Sequence, residues 1–156
     1  MTVRVPFDLH YEFEVKAPWT EVFTVLADVP VSASHFPRLH RLVDLGGNAF
    51  RWELERIGTE RVHIQTTYAS KYVAERRKGT VVWTPVEGVG NGRVAGSWTI
   101  AKRKTGTQLM LKLQGELIVP LPALMQPIVA PLVLAENERL IEKYIDNLAR
   151  RFGGRA

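Results

Sequence analysis

The side chains able to do acid–base, nucleophilic or metal chemistry are few and scattered along the 156 residues. The four histidines are His10, His35, His40 and His63. No pair has the spacing that brings two imidazoles onto one helical turn, and no glycine loop has the phosphate-cradling pattern. No metal and no cofactor is therefore expected. Ser32, Ser34 and His35 lie close together, but a nucleophile and its base need an orienting acid, and none is near. His35, Asp44, Glu53 and Tyr68 are of types that can hold or move a proton at a cavity. Each serves equally well as a surface group or a buried hydrogen-bonding group, so none is assigned a catalytic role. His35 and His40 flank the Pro37 loop, where a cavity mouth could lie, whereas His10 and His63 fall on solvent-facing positions. With no cysteine, thiol catalysis, thiolate metal sites and disulfides are excluded.

The charge pattern narrows the partners. The net charge is +5, but the basic residues fall in small groups: Arg76-Arg77-Lys78, Lys102-Arg103-Lys104, and Arg150-Arg151 with Arg155. They lack interleaved exposed aromatics, so they read as an ordinary basic surface and not as a nucleic-acid stacking platform. The start MTVRVPFDLH has no uninterrupted apolar core of the signal-peptide kind, and no run approaches the length of a membrane span. A cytoplasmic protein without stable membrane insertion is expected. A homodimer is left open.

Any site must be positioned by the elements that the periodicity marks out, and the chief of these is the last quarter. Apolar residues recur at Leu121, Leu124, Met125, Ile128, Val129, Leu132, Val133, Leu140, Ile141, Tyr144, Ile145, Leu148 and Phe152. Steps of three and four predict a helix with one broad apolar stripe. Arg150 and Arg151 suit its C-terminal end, and Gly153 is a stop signal. Pro127 and Pro131 predict a bend, with a short helical segment from about Leu121 and an unbroken helix from about Pro131 to Arg151. No other helix of comparable length exists to receive the stripe, so it must lie across a sheet.

The rest of the chain supplies that sheet. Phe7, Leu9, Tyr11, Phe13 and Val15 alternate with polar residues as a half-buried strand. Pro18 opens a helix carrying Trp19, Val22, Phe23 and Leu26 on one face. Asp28-Val29-Pro30 ends it, and residues 31–36 make a second short helix. Period two then predicts strands at residues 38–45, at Phe50, Trp52 and Leu54, at Val62, Ile64, Thr66, Tyr68 and Tyr72, over 73–78, over 80–85, over 93–101, and at Leu109, Leu111, Leu113, Leu117 and Val119. Gly46-Gly47-Asn48 and Gly58-Thr59 mark turns. Gly88, Gly90 and Gly92 mark a turn that is either a gate over a ligand or a tightly wound hairpin. Gly115 lets its strand bend or another element come close. The chain reads as one domain over residues 1–156. Its class is α+β: a strongly curved antiparallel sheet of about seven strands wrapped around a long C-terminal helix, with two short helices after the first strand.

This order resembles the START-like superfamily, with its helix-grip fold, which includes polyketide cyclases and lipid-transfer domains. The local similarity lies in Ala17-Pro18-Trp19-Thr20-Glu21-Val22-Phe23 after the first strand, Trp83-Thr84-Pro85-Val86, Gly96-Ser97-Trp98, and Leu117-Ile118-Val119-Pro120-Leu121-Pro122 before the last helix. The resemblance implies an apolar cavity between sheet and helix. Residues on the presumed concave face are Trp52, Leu54, Tyr68, Trp98, Leu111 and Leu113, with Met125 and Val129 from the helix; each would serve equally as core. Binding or transport of a small hydrophobic ligand (lipid, aromatic or polyketide-like) is the expected function. The alternative is a cyclase- or dehydratase-type enzyme using the same cavity. A charged pair inside the cavity would favour the enzyme; an apolar lining with a few hydroxyls would favour the carrier.

Overall fold

The two edges of the main sheet are formed by strands that follow one another in sequence. The structure, a computed structural model, describes residues 2–58 and 63–156. Strand β1 (Val3–Val15) lies at one edge, and β2 (Leu39–Gly46) at the other. Two short helices, α1 (Trp19–Ala27) and α2 (Val29–Ala33), carry the chain between them. The remaining strands are β3 (Ala49–Leu54), a small separate ribbon of β4 (Ile57–Gly58) with β5 (His63–Ile64), then β6 (Thr67–Glu75), β7 (Thr80–Pro85), β8 (Gly92–Arg103) and β9 (Gly106–Val119). The seven-stranded order is β1-β9-β8-β7-β6-β3-β2, antiparallel throughout. A 3-10 turn (Ala123–Met125) leads into the long helix α3 (Gln126–Arg151), which packs on the sheet. The α+β helix-grip architecture expected from the sequence is the one observed.

The alternation of side chains decides which residues look at α3. In β3 the apolar residues Phe50, Trp52 and Leu54 are buried, while Arg51 and Glu53 face the other way and pair with each other at 2.8 Å. In β9 the same rule buries Leu109, Leu111, Leu117 and Val119. Gly115 sits where the Arg93 carbonyl oxygen of β8 would be 1.9 Å from any β-carbon, so the close approach expected there is real and requires glycine.

Helix α3 departs from the sequence reading in two ways. It is continuous from Gln126, because Pro127 falls in its first turn, where a missing N–H costs nothing, and Pro131 removes a single ladder bond. The apolar stripe also divides. Leu140, Ile141, Tyr144, Ile145 and Leu148 are buried in the main core with residues of α1, β1, β8 and β9. Of the first turns, only Val129 is buried, in a smaller cluster with Val3, Val5, Leu117 and Val119. Leu124, Ile128 and Leu132 are 93, 66 and 67 % exposed. Residues 121–135 are apolar on nearly every side, so periodicity alone could not tell the packed side from the free one.

Smaller differences have local causes. Helix α2 begins at Val29 and not at Val31, since Pro30 suits a first turn and the Asp28 carboxylate accepts a hydrogen bond from Val31 N at 3.3 Å. The long strand expected from Val62 to Tyr72 is broken: β5 pairs with β4, and β6 starts at Thr67 and runs on through the region expected as a separate strand. Thr59 of the expected turn and Val62 of the expected strand lie outside the described residues.

Candidate functional site

A cavity of about 100 Å³ lies between the concave face of the sheet and the helices α2 and α3. Its walls follow from the strand alternation. Trp52 and Leu54 come from β3, Tyr68 and Tyr72 from β6, Trp83 from β7, Trp98 from β8, and Leu111 and Leu113 from β9. Tyr144 and Ile141 of α3 and Ser32 of α2 close it from the other side, with Asn137 the one side-chain amide at its wall. No charged side chain is among the described residues that line it.

The aromatic walls brace one another. Trp52 stacks on its cross-strand neighbour Tyr68, ring centres 5.8 Å apart and planes 11° from parallel. The Trp52 indole N–H donates to the Tyr72 hydroxyl at 2.8 Å, and Tyr72 leans on Trp83 at 5.4 Å. Phe36, just past α2, meets Trp52 edge-on at 5.8 Å and Tyr144 at 5.4 Å. Such aromatic pairs contribute roughly 0.5–1.5 kcal/mol each beyond area burial. The cavity is thus a gap held open by rigid rings. On the α-helical side the Ser32 and Tyr144 hydroxyls are 2.5 Å apart.

Burial sets the chemistry of these phenols. It pushes Tyr144 up to about 12, against the opposing effect of hydrogen bonds with Ser32 and Trp98. Burial also raises Tyr68 and Tyr72, and each is raised further by a neighbouring phenol: Tyr144 for Tyr68, and Tyr68 for Tyr72. All three are therefore neutral hydroxyls across the physiological range, able to donate and accept hydrogen bonds.

Six of the eight sequence-derived ligand-binding candidates, Trp52, Leu54, Tyr68, Trp98, Leu111 and Leu113, line the cavity. Val129 does not; it is buried in the smaller cluster below the first turns of α3. Met125 does not either, being exposed beside Leu124. The proton-holding candidates other than Tyr68 stand apart from the cavity. His35 turns its Nδ1 to the Val31 carbonyl at 2.9 Å, Asp44 accepts from Gly46 N at 2.8 Å, and Glu53 is held by Arg41 and Arg51, which keep its carboxyl below the usual range. Ser32, Tyr72, Trp83, Asn137 and Tyr144 are lining residues that the sequence reading does not place at the cavity. A signal exists for two of them: Tyr68 and Tyr72 are four apart on one strand and so share a face, and Tyr144 is the only member of the helix stripe with a polar tip.

The glycine-rich turn is a wound hairpin. Gly90, at φ +69°, passes so close to the Thr67 carbonyl oxygen that a β-carbon would lie 2.1 Å from it. Asn91 then ties three strands together. Its Oδ1 accepts from Thr67 N at 2.8 Å, its Nδ2 donates to the Ile118 carbonyl at 3.0 Å, and its backbone bonds to the same two residues.

Among the described residues, no helix is long and apolar enough to cross a membrane, and no three histidine or acidic side chains gather as metal ligands. No protein-family model and no curated protein sequence matches the chain. Solved structures do. A protein of Thermus thermophilus superposes with a TM-score of 0.68 at 17% identity, covering 94% of this chain and 97% of its own. The Zhui aromatase/cyclase of a Streptomyces species gives 0.67 at 14% identity, covering 95% of this chain and 94% of its own. A START superfamily protein of Mycobacterium smegmatis gives 0.65 at 15% identity, with 94% and 97% covered. Strand order, the two short helices, the long closing helix and these superpositions agree: the chain has the START-like, polyketide-cyclase-type fold.

Proposed function

We propose that the protein binds a small hydrophobic molecule in the cavity between sheet and α3, as a carrier or sensor. The supporting observation is the lining: aromatic and aliphatic walls interrupted only by hydroxyls and one amide, with no charged side chain among the described residues. Concave, mostly apolar pockets with a few placed polar groups are the usual way of holding small ligands. Trp52, Leu54, Tyr68, Trp98, Leu111 and Leu113 are the proposed contacts, within a single ligand-binding domain that takes in the whole chain.

The second reading is a cyclase- or dehydratase-type enzyme in the same cavity, favoured by the structural likeness to an aromatase/cyclase. Two observations favour the carrier over it. A general acid or base works best with a pKa near the operating pH, whereas burial moves the cavity phenols away from it. A volume of about 100 Å³ is also well below the ~300–1,000 Å³ of typical small-molecule pockets. An apolar cavity of roughly 150 Å³ takes benzene, so even a one-ring ligand needs the walls to yield a little and a multi-ring substrate would have to displace them.

The test is a titration with a small neutral arene, followed by the emission of Trp52, Trp83 and Trp98. A saturable change supports the reading. A signal that rises linearly without saturation sinks it.

A further inference from the structure

Several hydroxyl protons at the cavity wall enter no hydrogen bond among the described residues. Tyr68, stacked on Trp52, lines the cavity together with Tyr72 and Tyr144, and its hydroxyl has no hydrogen-bond partner among the described residues. Tyr72 accepts from the Trp52 indole, which leaves its own proton without an acceptor among those residues. Ser32 and Tyr144 share one contact between two hydroxyls, so one of their two protons is also spare. Donors thus come from β6 and from the α2–α3 pair, that is, from both walls. A ligand that brings an acceptor to these protons gains hydrogen bonds that the surrounding apolar lining does not offer.

We infer that the occupant is an uncharged molecule of about one ring that carries a carbonyl-type hydrogen-bond acceptor, received by the hydroxyl of Tyr68 with Tyr72 beside it. This rests on the ligand-binding reading above and narrows it. A plain hydrocarbon would fill the volume but leave the hydroxyl protons unmatched. A carboxylate would match them but would bring a charge into a lining that offers no cation among its described residues, at a large desolvation cost. The aromatic walls, with Trp52 and Tyr68 stacked parallel, suit a flat molecule.

Three probes with the same number of non-hydrogen atoms separate these cases: acetophenone, cumene and benzoate, each titrated by calorimetry into the wild-type protein and into Tyr68→Phe. The expected order is acetophenone tightest, cumene weaker by roughly tenfold, the size of one well-made hydrogen bond with no partner left stranded, and benzoate weakest. In Tyr68→Phe the preference for acetophenone over cumene should collapse to within about twofold. The carbonyl stretch of bound acetophenone gives a readout independent of any variant, and it should shift to lower frequency than in hexane. Cumene binding as tightly as acetophenone, or an unshifted carbonyl, overturns this inference while leaving the cavity reading intact. Saturable binding by none of the three overturns both.

Discussion

The hydroxyls of Ser32 and Tyr144 meet at 2.5 Å although 112 residues separate them in sequence. They join α2 to α3, so the pair ties together the two helical elements that line the cavity. Removing either partner leaves the other hydroxyl without its mate. Ser32→Ala and Tyr144→Phe should each cost about 1–3 kcal/mol. The double variant should cost less than the sum, with a coupling of roughly 0.5–1.5 kcal/mol. Urea unfolding of the four proteins measures it; strictly additive losses would show that the contact carries no energy.

Leu111 and Leu113 share a face of β9, yet they meet different surroundings. Leu111 is 1% exposed and belongs to the main core, while Leu113 is only partly buried and packs against its border. Leu113→Trp should therefore push its ring into the cavity, abolish arene binding and cost less than the roughly 1–3 kcal/mol typical of overpacking. Leu111→Trp should incur that full cost. Equal melting temperatures for the two variants would contradict this division of the strand.

The cavity phenols make stability sensitive to alkali. Free tyrosine ionises near ~10, and burial raises Tyr68, Tyr72 and Tyr144 above that. The folded chain thus holds these protons more tightly than the unfolded one. Their stabilising contribution is complete below about pH 10 and is lost as pH climbs through the folded-state values, about 12 for Tyr144. Tyrosinate absorbance should appear late and together with loss of near-ultraviolet dichroism. Ionisation of all three near pH ~10 in a still-folded protein would refute it.

Helix α3 should respond very differently along its length. Leu148 is fully buried, and truncating it to Ala should cost about 2–5 kcal/mol. Ile128→Ser and Leu132→Ser change exposed side chains and should stay within roughly 0.5 kcal/mol. A loss several times larger at Ile128 or Leu132 would mean that this face is covered.

The sequence was most readable where one physical rule acted alone. Strict alternation in β3 and β9 identified Trp52, Leu54, Leu111 and Leu113 as inward-facing, because a half-buried strand admits only two orientations. It was least readable where several rules gave one pattern. Residues 121–135 satisfy a helical stripe on almost any side, and only the position of Val3, Val5, Leu117 and Val119 selects Val129 as the buried contact. Ser32 and Tyr144 could not be paired from sequence, since neither local spacing nor periodicity links positions brought together by the fold. The candidate acids and bases failed for a related reason. Glu53 has the right chemistry, but its strand position points it to the arginines on the convex side.

The pairing of β1 with β9 bears on the order in which the molecule can assemble. Val3 pairs with Val119 and Val15 with Thr107, so the first strand waits for the last before it acquires any neighbour. Contacts of such high sequence separation demand that loop-closure entropy be overcome before they return any stabilisation, and chains that depend on them fold slowly. The β2–β3, β6–β7, β7–β8 and β8–β9 hairpins can form locally and early. Phe7 and Leu9, which line the cavity from β1, arrive only with the final closure. In a refolding experiment, recovery of ligand binding would therefore time the closing of the sheet, and it would lag behind the signals that report its first turns.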